Sequence, residues 1–142
     1  MNTCDHMVRM AAYNEVMNEQ LYSAAAKLSA EDLFADRGAY FGSLFGTMNH
    51  IGVADTIWLK RFCAHPALQR ALDPIRDAAV PVRLNQLLAD DLHALLALRR
   101  GLDQTIGRWA AELTAPDLEQ ILSYSNTKRI VSRKRYSSLI MH

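Results

Sequence analysis

The chain has 142 residues and a mass of 16.0 kDa, which is the length of a single domain spanning residues 1–142. Half of its residues are hydrophobic and 22% are charged, a composition that excludes an intrinsically disordered chain. Sixteen basic and fifteen acidic residues give a formal net charge of +1, which argues against a dedicated nucleic-acid-binding domain with its usual basic excess.

The first predicted element is a long helix over residues 5–28. Apolar residues recur there at steps of three, four and seven, and the run Ala24-Ala25-Ala26 strongly favours a helix. Ser29 follows, with an acidic residue three positions later at Asp32. This pairing is typical of a helix N-cap, so we expect a short helical turn there.

Two further long helices are predicted over residues 39–63 and 83–113. The second helix should end before Pro66, because a residue that precedes proline disfavours helical geometry. The third helix carries leucines at helical spacing and should end at Pro116. About twenty irregular residues, interrupted by three prolines, connect the two helices.

The end of the chain has a different pattern. Residues 122–130 predict two short extended arms around a turn that begins at Asn126, and a helical pattern resumes after Tyr136. Three long helices need a fourth to cover their apolar faces, and only about a turn and a half of it is present. The sequence therefore predicts an all-α helical bundle whose fourth helix is truncated.

His50 is the strongest candidate for chemistry. It lies in the middle of a helix, in a stretch without charged residues, and its helix face also carries small residues that include Ser43 and Thr47. Small neighbours leave room for a metal, a water molecule or a substrate. The pattern alone leaves two interpretations open, a metal ligand or a core histidine hydrogen-bonded to a backbone carbonyl.

Three other polar residues are candidates for lining such a site. Asp55 lies about 140° around the helix from His50, so it cannot bind the same ion from this helix. If it is buried, it needs a polar partner, and a structural role is favoured over catalysis. Asn14 and Asn18 are one turn apart on the first helix and could line the site or be solvated.

Five basic residues between positions 128 and 135 predict a solvated hairpin or a weak anion site rather than a surface for duplex nucleic acid. Cys4 and Cys63 form no disulfide framework, and no signal peptide or membrane span is recognisable. We therefore expect a soluble cytoplasmic protein that binds neither nucleic acid nor membrane.

These residues together resemble the DinB (damage-inducible protein) family, within the DinB/YfiT-like group of metalloenzymes. The specific part of the resemblance runs from residue 40 to residue 59, and weaker similarity covers essentially the whole chain, including Tyr124. The segments that carry it are Ala12-Tyr13-Asn14, Tyr40-Phe41-Gly42-Ser43, Gly46-Thr47-Met48-Asn49-His50 and Ala54-Asp55-x-x-Trp58-Leu59.

The resemblance implies a four-helix bundle, often dimeric, in which three histidines bind a divalent metal such as zinc, nickel or iron. His50 matches the ligand from the second helix, and the other two ligands form a pair four residues apart on the fourth helix. Aligned on Tyr124, that pair is expected beyond His142. The expected lining or supporting residues are Asn14, Asn18, Ser43, Thr47, Asp55 and Tyr124, and no catalytic residue is assigned.

Relatives in the wider group use the metal to activate a low-molecular-weight thiol. The resemblance therefore implies a metal-dependent, thiol-transferring or hydrolase-like enzyme with an incomplete histidine triad in this sequence. An alternative from another class is a non-catalytic, stress-related helical module for binding or dimerisation. A downstream H-x-x-x-H sequence would favour the enzyme.

Overall fold

The computed structural model describes residues 2–65, 69–125 and 130–140, and within this part the chain is mostly helical. Three long helices dominate: α1 (Thr3–Ala25), α3 (Leu44–Phe62) and α5 (Leu92–Glu112). The short helices are α2 (Ala30–Phe34), α4 (Asp73–Arg76, after a 3-10 turn at Arg70–Leu72), α6 (Ala115–Glu119) and α7 (Tyr136–Ile140).

The first helix and the short turn after it are confirmed as predicted, but α3 and α5 begin later than expected. The side chain of Ser43 accepts a hydrogen bond from the Gly46 amide and caps α3. The helix therefore begins at Leu44, five residues after its predicted start. The side chain of Asp91 accepts a hydrogen bond from the Ala94 amide and caps α5, which begins at Leu92, nine residues after its predicted start. An N-cap side chain accepts a hydrogen bond from a backbone amide of the first helical turn and thereby sets the residue at which the helix begins. This local hydrogen bond outweighs the helical spacing of the apolar residues upstream of the cap.

The two predicted extended arms form an antiparallel hairpin of β1 (Ile121–Ser125) and β2 (Val131–Arg135). Its register pairs Ile121 with Arg135 and Ser125 with Val131. The turn predicted at Asn126 lies outside the described residues. The helix predicted after Tyr136 is present as α7.

The long helices enclose two apolar clusters. The larger cluster joins α1, α3, α5, the hairpin and α7, and the smaller cluster joins the end of α1 to α2 and the start of α3. Within the larger one, Gln69 Oε1 accepts hydrogen bonds from Trp109 Nε1 at 2.8 Å and from the Tyr136 hydroxyl at 3.0 Å. This buried triangle ties the loop after α3 to α5 and to the start of α7.

α1 and α3 both pack against α5 and leave a groove between them. Two adjoining cavities, of about 310 and 160 Å³, lie in this groove. Asp55, Ile106, Trp109 and Ile140 line both cavities. We refer to this region as the central groove. None of the described helices is long and apolar enough to cross a lipid bilayer.

Candidate functional site

His50 lies in the second turn of α3 and is half-buried. Its Nδ1 lies 3.2 Å from the carbonyl oxygen of Leu84. Because a carbonyl oxygen can only accept, this hydrogen bond requires a proton on Nδ1. In the neutral imidazole, Nε2 then carries the lone pair, which is the form that can bind a metal or accept a proton.

An aromatic ring also packs against His50. The Phe41 ring stacks on the imidazole, with ring centroids 3.8 Å apart and an angle of 15° between the planes. Phe41 lies in the turn before α3, where Gly42 has a φ of +81°, a conformation that glycine adopts most easily. The sequence predicts mainly small neighbours on the helix face, because it gives no sign that this turn folds back over the imidazole.

The two predicted residues nearest to His50 along the chain have local roles at the start of α3. The hydroxyl of Ser43 is the N-cap acceptor, and the hydroxyl of Thr47 donates to the Ser43 carbonyl oxygen at 3.1 Å. Both interactions fix the first turn of α3. They thereby position the helix face that carries His50.

Asn14, Asn18 and Asp55 are brought together in a buried polar network on the other side of α3. At its centre is Arg99 of α5, whose Nη2 lies 2.7 Å from Asp55 Oδ2 and 2.8 Å from Asp103 Oδ1. Arg99 and Asp103 are each only 2% exposed, whereas Asp55 is 33% exposed. Arg99 is therefore the polar partner that the position of Asp55 in an apolar stripe requires.

The two asparagines donate hydrogen bonds to the same Asp103 carboxylate that Arg99 contacts. Asn14 Nδ2 donates to Oδ1 at 3.0 Å, and Asn18 Nδ2 donates to both oxygens at 3.1 and 3.2 Å. The network thus joins α1, α3 and α5 through two carboxylates, one guanidinium and two amides. Its formal charge is −1 when all three ionisable groups are charged.

Burial and neighbouring charges shift the pKa values of Arg99 and Asp103 in opposite directions. Burial raises the pKa of Asp103, although the neighbouring guanidinium and Asn18 oppose this effect. For Arg99, burial favours the neutral form, but Asp55 and Asp103 outweigh it and raise the pKa of the guanidinium. The arginine therefore stays charged, and it is the counter-charge that allows two carboxylates to lie at the centre of the fold.

Sequence reasoning missed Arg99 and Asp103. The available signal was an Arg-x-x-x-Asp pair in line with the leucines of α5, since charged residues four positions apart share a helix face.

Tyr124, the last predicted site residue, lies apart from His50 on the hairpin. Its ring packs 5.2 Å from Trp58, and the Arg61 guanidinium lies over both rings, at 4.9 and 4.5 Å.

The candidate site therefore consists of separate parts. His50 lies near the start of α3, whereas Asn14 and Asp55 of the polar network line the central groove. Among residues 2–65, 69–125 and 130–140, no three His, Cys, Asp or Glu side chains form a group that could hold a metal ion. This part of the chain therefore contains no complete metal site.

Comparison with known proteins gives the family. Neither the curated proteins nor the solved structures contain a match to this chain. A family model described as DinB family matches residues 1–142, which is the whole chain. The chain is therefore a member of the DinB family.

Proposed function

We propose that this DinB protein is a metal-dependent enzyme of the transferase type, in which His50 supplies one of three histidine ligands to a divalent ion. The observation that carries the proposal is the hydrogen bond from His50 Nδ1 to the Leu84 carbonyl oxygen. Histidine ligands usually donate their second ring N–H to a carbonyl or carboxylate group, which fixes the tautomer and the ring orientation. The stacked Phe41 ring restricts the orientation further.

A catalytic zinc site takes three protein ligands, and the described residues contain no group of His, Cys, Asp or Glu side chains that could supply them. The other two ligands in the proposal are a histidine pair four residues apart on a continuing fourth helix. The proposed substrate class is a low-molecular-weight thiol, as the resemblance to thiol-transferring proteins implies.

Elemental analysis after dialysis tests the ligand assignment. We expect no stoichiometric metal in the 142-residue chain, because one imidazole does not hold a divalent ion against water. In a chain extended after residue 142 by a helix that carries H-x-x-x-H, we expect one ion per chain. The variant His50→Ala of that extended chain should lose the ion and keep its fold, whereas His93→Ala, at an exposed position of α5, should keep it.

Two results would contradict the proposal. One ion tightly held by the 142-residue chain would mean that other residues form the site. An extended chain without metal would favour the alternative, a non-catalytic helical module.

We also propose that the chain forms a homodimer. Exposed apolar side chains on the helix faces that line the central groove support this. Met10, which lines the groove, is 45% exposed, Met17 on the same face of α1 is 43% exposed, and Ile51, one turn before Asp55 on α3, is 38% exposed. Association of a second copy would remove this surface from water.

A further inference from the structure

A surface pocket of about 380 Å³ lies beside the C-terminal half of α3. Its walls come from the last turns of α3, from the loop before α5 and from the end of β1. The lining residues are Ile57, Lys60, Arg61, Val80, Pro81, Val82 and Ser125. The pocket is therefore mainly apolar, and both of its charged side chains are cations.

Neither cation has an anionic partner among the described residues. Lys60 Nζ donates to the carbonyl oxygen of Arg76 at 2.8 Å, and Arg61 Nη2 donates to that of Ser125 at 3.0 Å. Neither side chain forms an ion pair with a described carboxylate, whereas Arg37, Arg76, Arg99, Arg100 and Arg135 all do. Two uncompensated positive charges thus lie at one apolar pocket.

The Arg61 guanidinium is held in place before any ligand binds. It lies over the rings of Trp58 and Tyr124, 4.5 and 4.9 Å from their centroids. Burial lowers the pKa of this guanidinium, which indicates that the group has lost part of its hydration. A rigid and partly dehydrated guanidinium binds an oxyanion at a small entropic cost, and its planar donors match a carboxylate.

We propose that this pocket binds an organic carboxylate with an apolar body, whose carboxylate is held by Lys60 and Arg61. Ile57, Val80 and Val82 supply the apolar contacts, and the cavity has the size of known small-molecule sites. The pocket lies on the same face of α3 as His50, since Ile57 is seven residues, or about 10 Å, further along the helix.

Isothermal titration calorimetry on the 142-residue chain tests this assignment with a matched pair of probes, 2-naphthoate and its neutral amide, 2-naphthamide. We expect saturable binding of 2-naphthoate, and binding of 2-naphthamide that is at least about fivefold weaker, because it lacks the charge. Raising the salt concentration should weaken only the binding of the carboxylate. No binding of 2-naphthoate, or equal binding of the two probes, would overturn the proposal.

Substitutions at the rim locate the binding site. Val82 is 80% exposed, so neither Val82→Glu nor Val82→Gln should affect folding, and only the glutamate adds a repulsive charge. We expect Lys60→Gln to weaken 2-naphthoate binding about fivefold. Val82→Glu should weaken it more than Val82→Gln does, because both variants lose the apolar contact of Val82 and only the glutamate adds a negative charge. Lys27→Gln, at an exposed position outside the pocket, removes one positive charge as a control. An equal loss in the Lys27 and Lys60 variants would mean that net charge, and not this pocket, controls binding.

Discussion

Arg99 and Arg100 are consecutive residues of α5 in contrasting environments. Arg99 is 2% exposed and bridges Asp55 and Asp103, whereas Arg100 is exposed and pairs with Glu19 on the surface. Replacing Arg99 would leave the Asp103 carboxylate buried without a counter-charge. The same change at Arg100 would remove a solvated ion pair, which contributes little.

We therefore expect Arg99→Met to lower the free energy of unfolding by about 3–5 kcal/mol, because removal of one partner from a buried ion pair is strongly destabilising. Arg100→Met should change it little. Urea denaturation of the two variants and the parent chain measures the difference. Similar stabilities of the two variants would show that the network does not support the fold.

Tyr22 predicts a loss of stability at alkaline pH. Burial raises the pKa of its phenol to about 12 from the ordinary value of 10.0, Arg99 opposes this shift, and Asp103 adds to it. The unfolded chain therefore loses this proton at a lower pH than the folded chain. The contribution of Tyr22 is complete below pH 10 and is lost as the pH rises toward 12, by about 1.4 kcal/mol per pH unit.

Between pH 10 and pH 11 we expect Tyr22→Phe to lose about 1 kcal/mol less stability than the parent chain, since it has no phenol to ionise. Tyr13→Phe, at a position that is 67% exposed, should follow the parent curve. Denaturation curves at several alkaline pH values provide the test. Parallel loss in the Tyr22 variant and the parent chain would contradict the assignment.

At the scale of the elements, the two glycines Gly46 and Gly101 predict opposite effects of the same substitution. A Cβ on Gly46 would overlap the carbonyl oxygen of Phe41, because the turn before α3 folds tightly against the helix. A Cβ on Gly101, in the exposed face of α5, would have no atom of a neighbouring element within 4 Å. Steric overlap with the backbone therefore determines the effect of an alanine at Gly46, whereas helix propensity determines it at Gly101.

We expect Gly46→Ala to destabilise the chain by about 1–3 kcal/mol, since the turn with Phe41 must move away from His50. Gly101→Ala should stabilise it by about 0.5–1 kcal/mol, because alanine restricts the unfolded chain and favours the helix. Thermal unfolding of both variants measures the two signs. A neutral Gly46 variant would mean that the turn is free to shift.

The helices also show how much of the fold the spacing of apolar residues can predict. Apolar spacing was sufficient to predict α1, α3 and α5, because each helix buries one face in the core. It failed at the starts of α3 and α5, where apolar residues at helical spacing continue upstream of the caps. Leu84 and Leu87, which were assigned to the third helix, are 42% and 61% exposed in the loop before it.

The site was less predictable than the fold, since its contacts join distant parts of the chain. Asn14 and Asp55 were recognised as polar residues on apolar helices, but their connection depends on Arg99 and Asp103, more than forty positions from either. The tautomer of His50 likewise depends on the carbonyl oxygen of Leu84, 34 residues away. Single-helix periodicity contains no information about such pairings.

At the scale of the whole molecule, exposed apolar side chains beside the central groove predict self-association. Met17 lies on the same face of α1 as Met10 and Asn14, which line the central groove, whereas Val16 lies about 100° around the helix. Both side chains are exposed, Met17 at 43% and Val16 at 53%. Burial of the groove against a second copy would contribute roughly 25 cal/mol per Å² of apolar surface.

We expect the 142-residue chain to sediment as a dimer at micromolar concentrations and Met17→Glu to sediment as a monomer, because the glutamate would lose its hydration in the interface. Val16→Glu places the same charge on the neighbouring face of α1, so it should remain dimeric. Sedimentation velocity over a hundredfold range of concentration distinguishes these species. A parent chain that stays monomeric, or a Val16 variant that dissociates as readily as the Met17 variant, would show that the central groove is not the dimer interface.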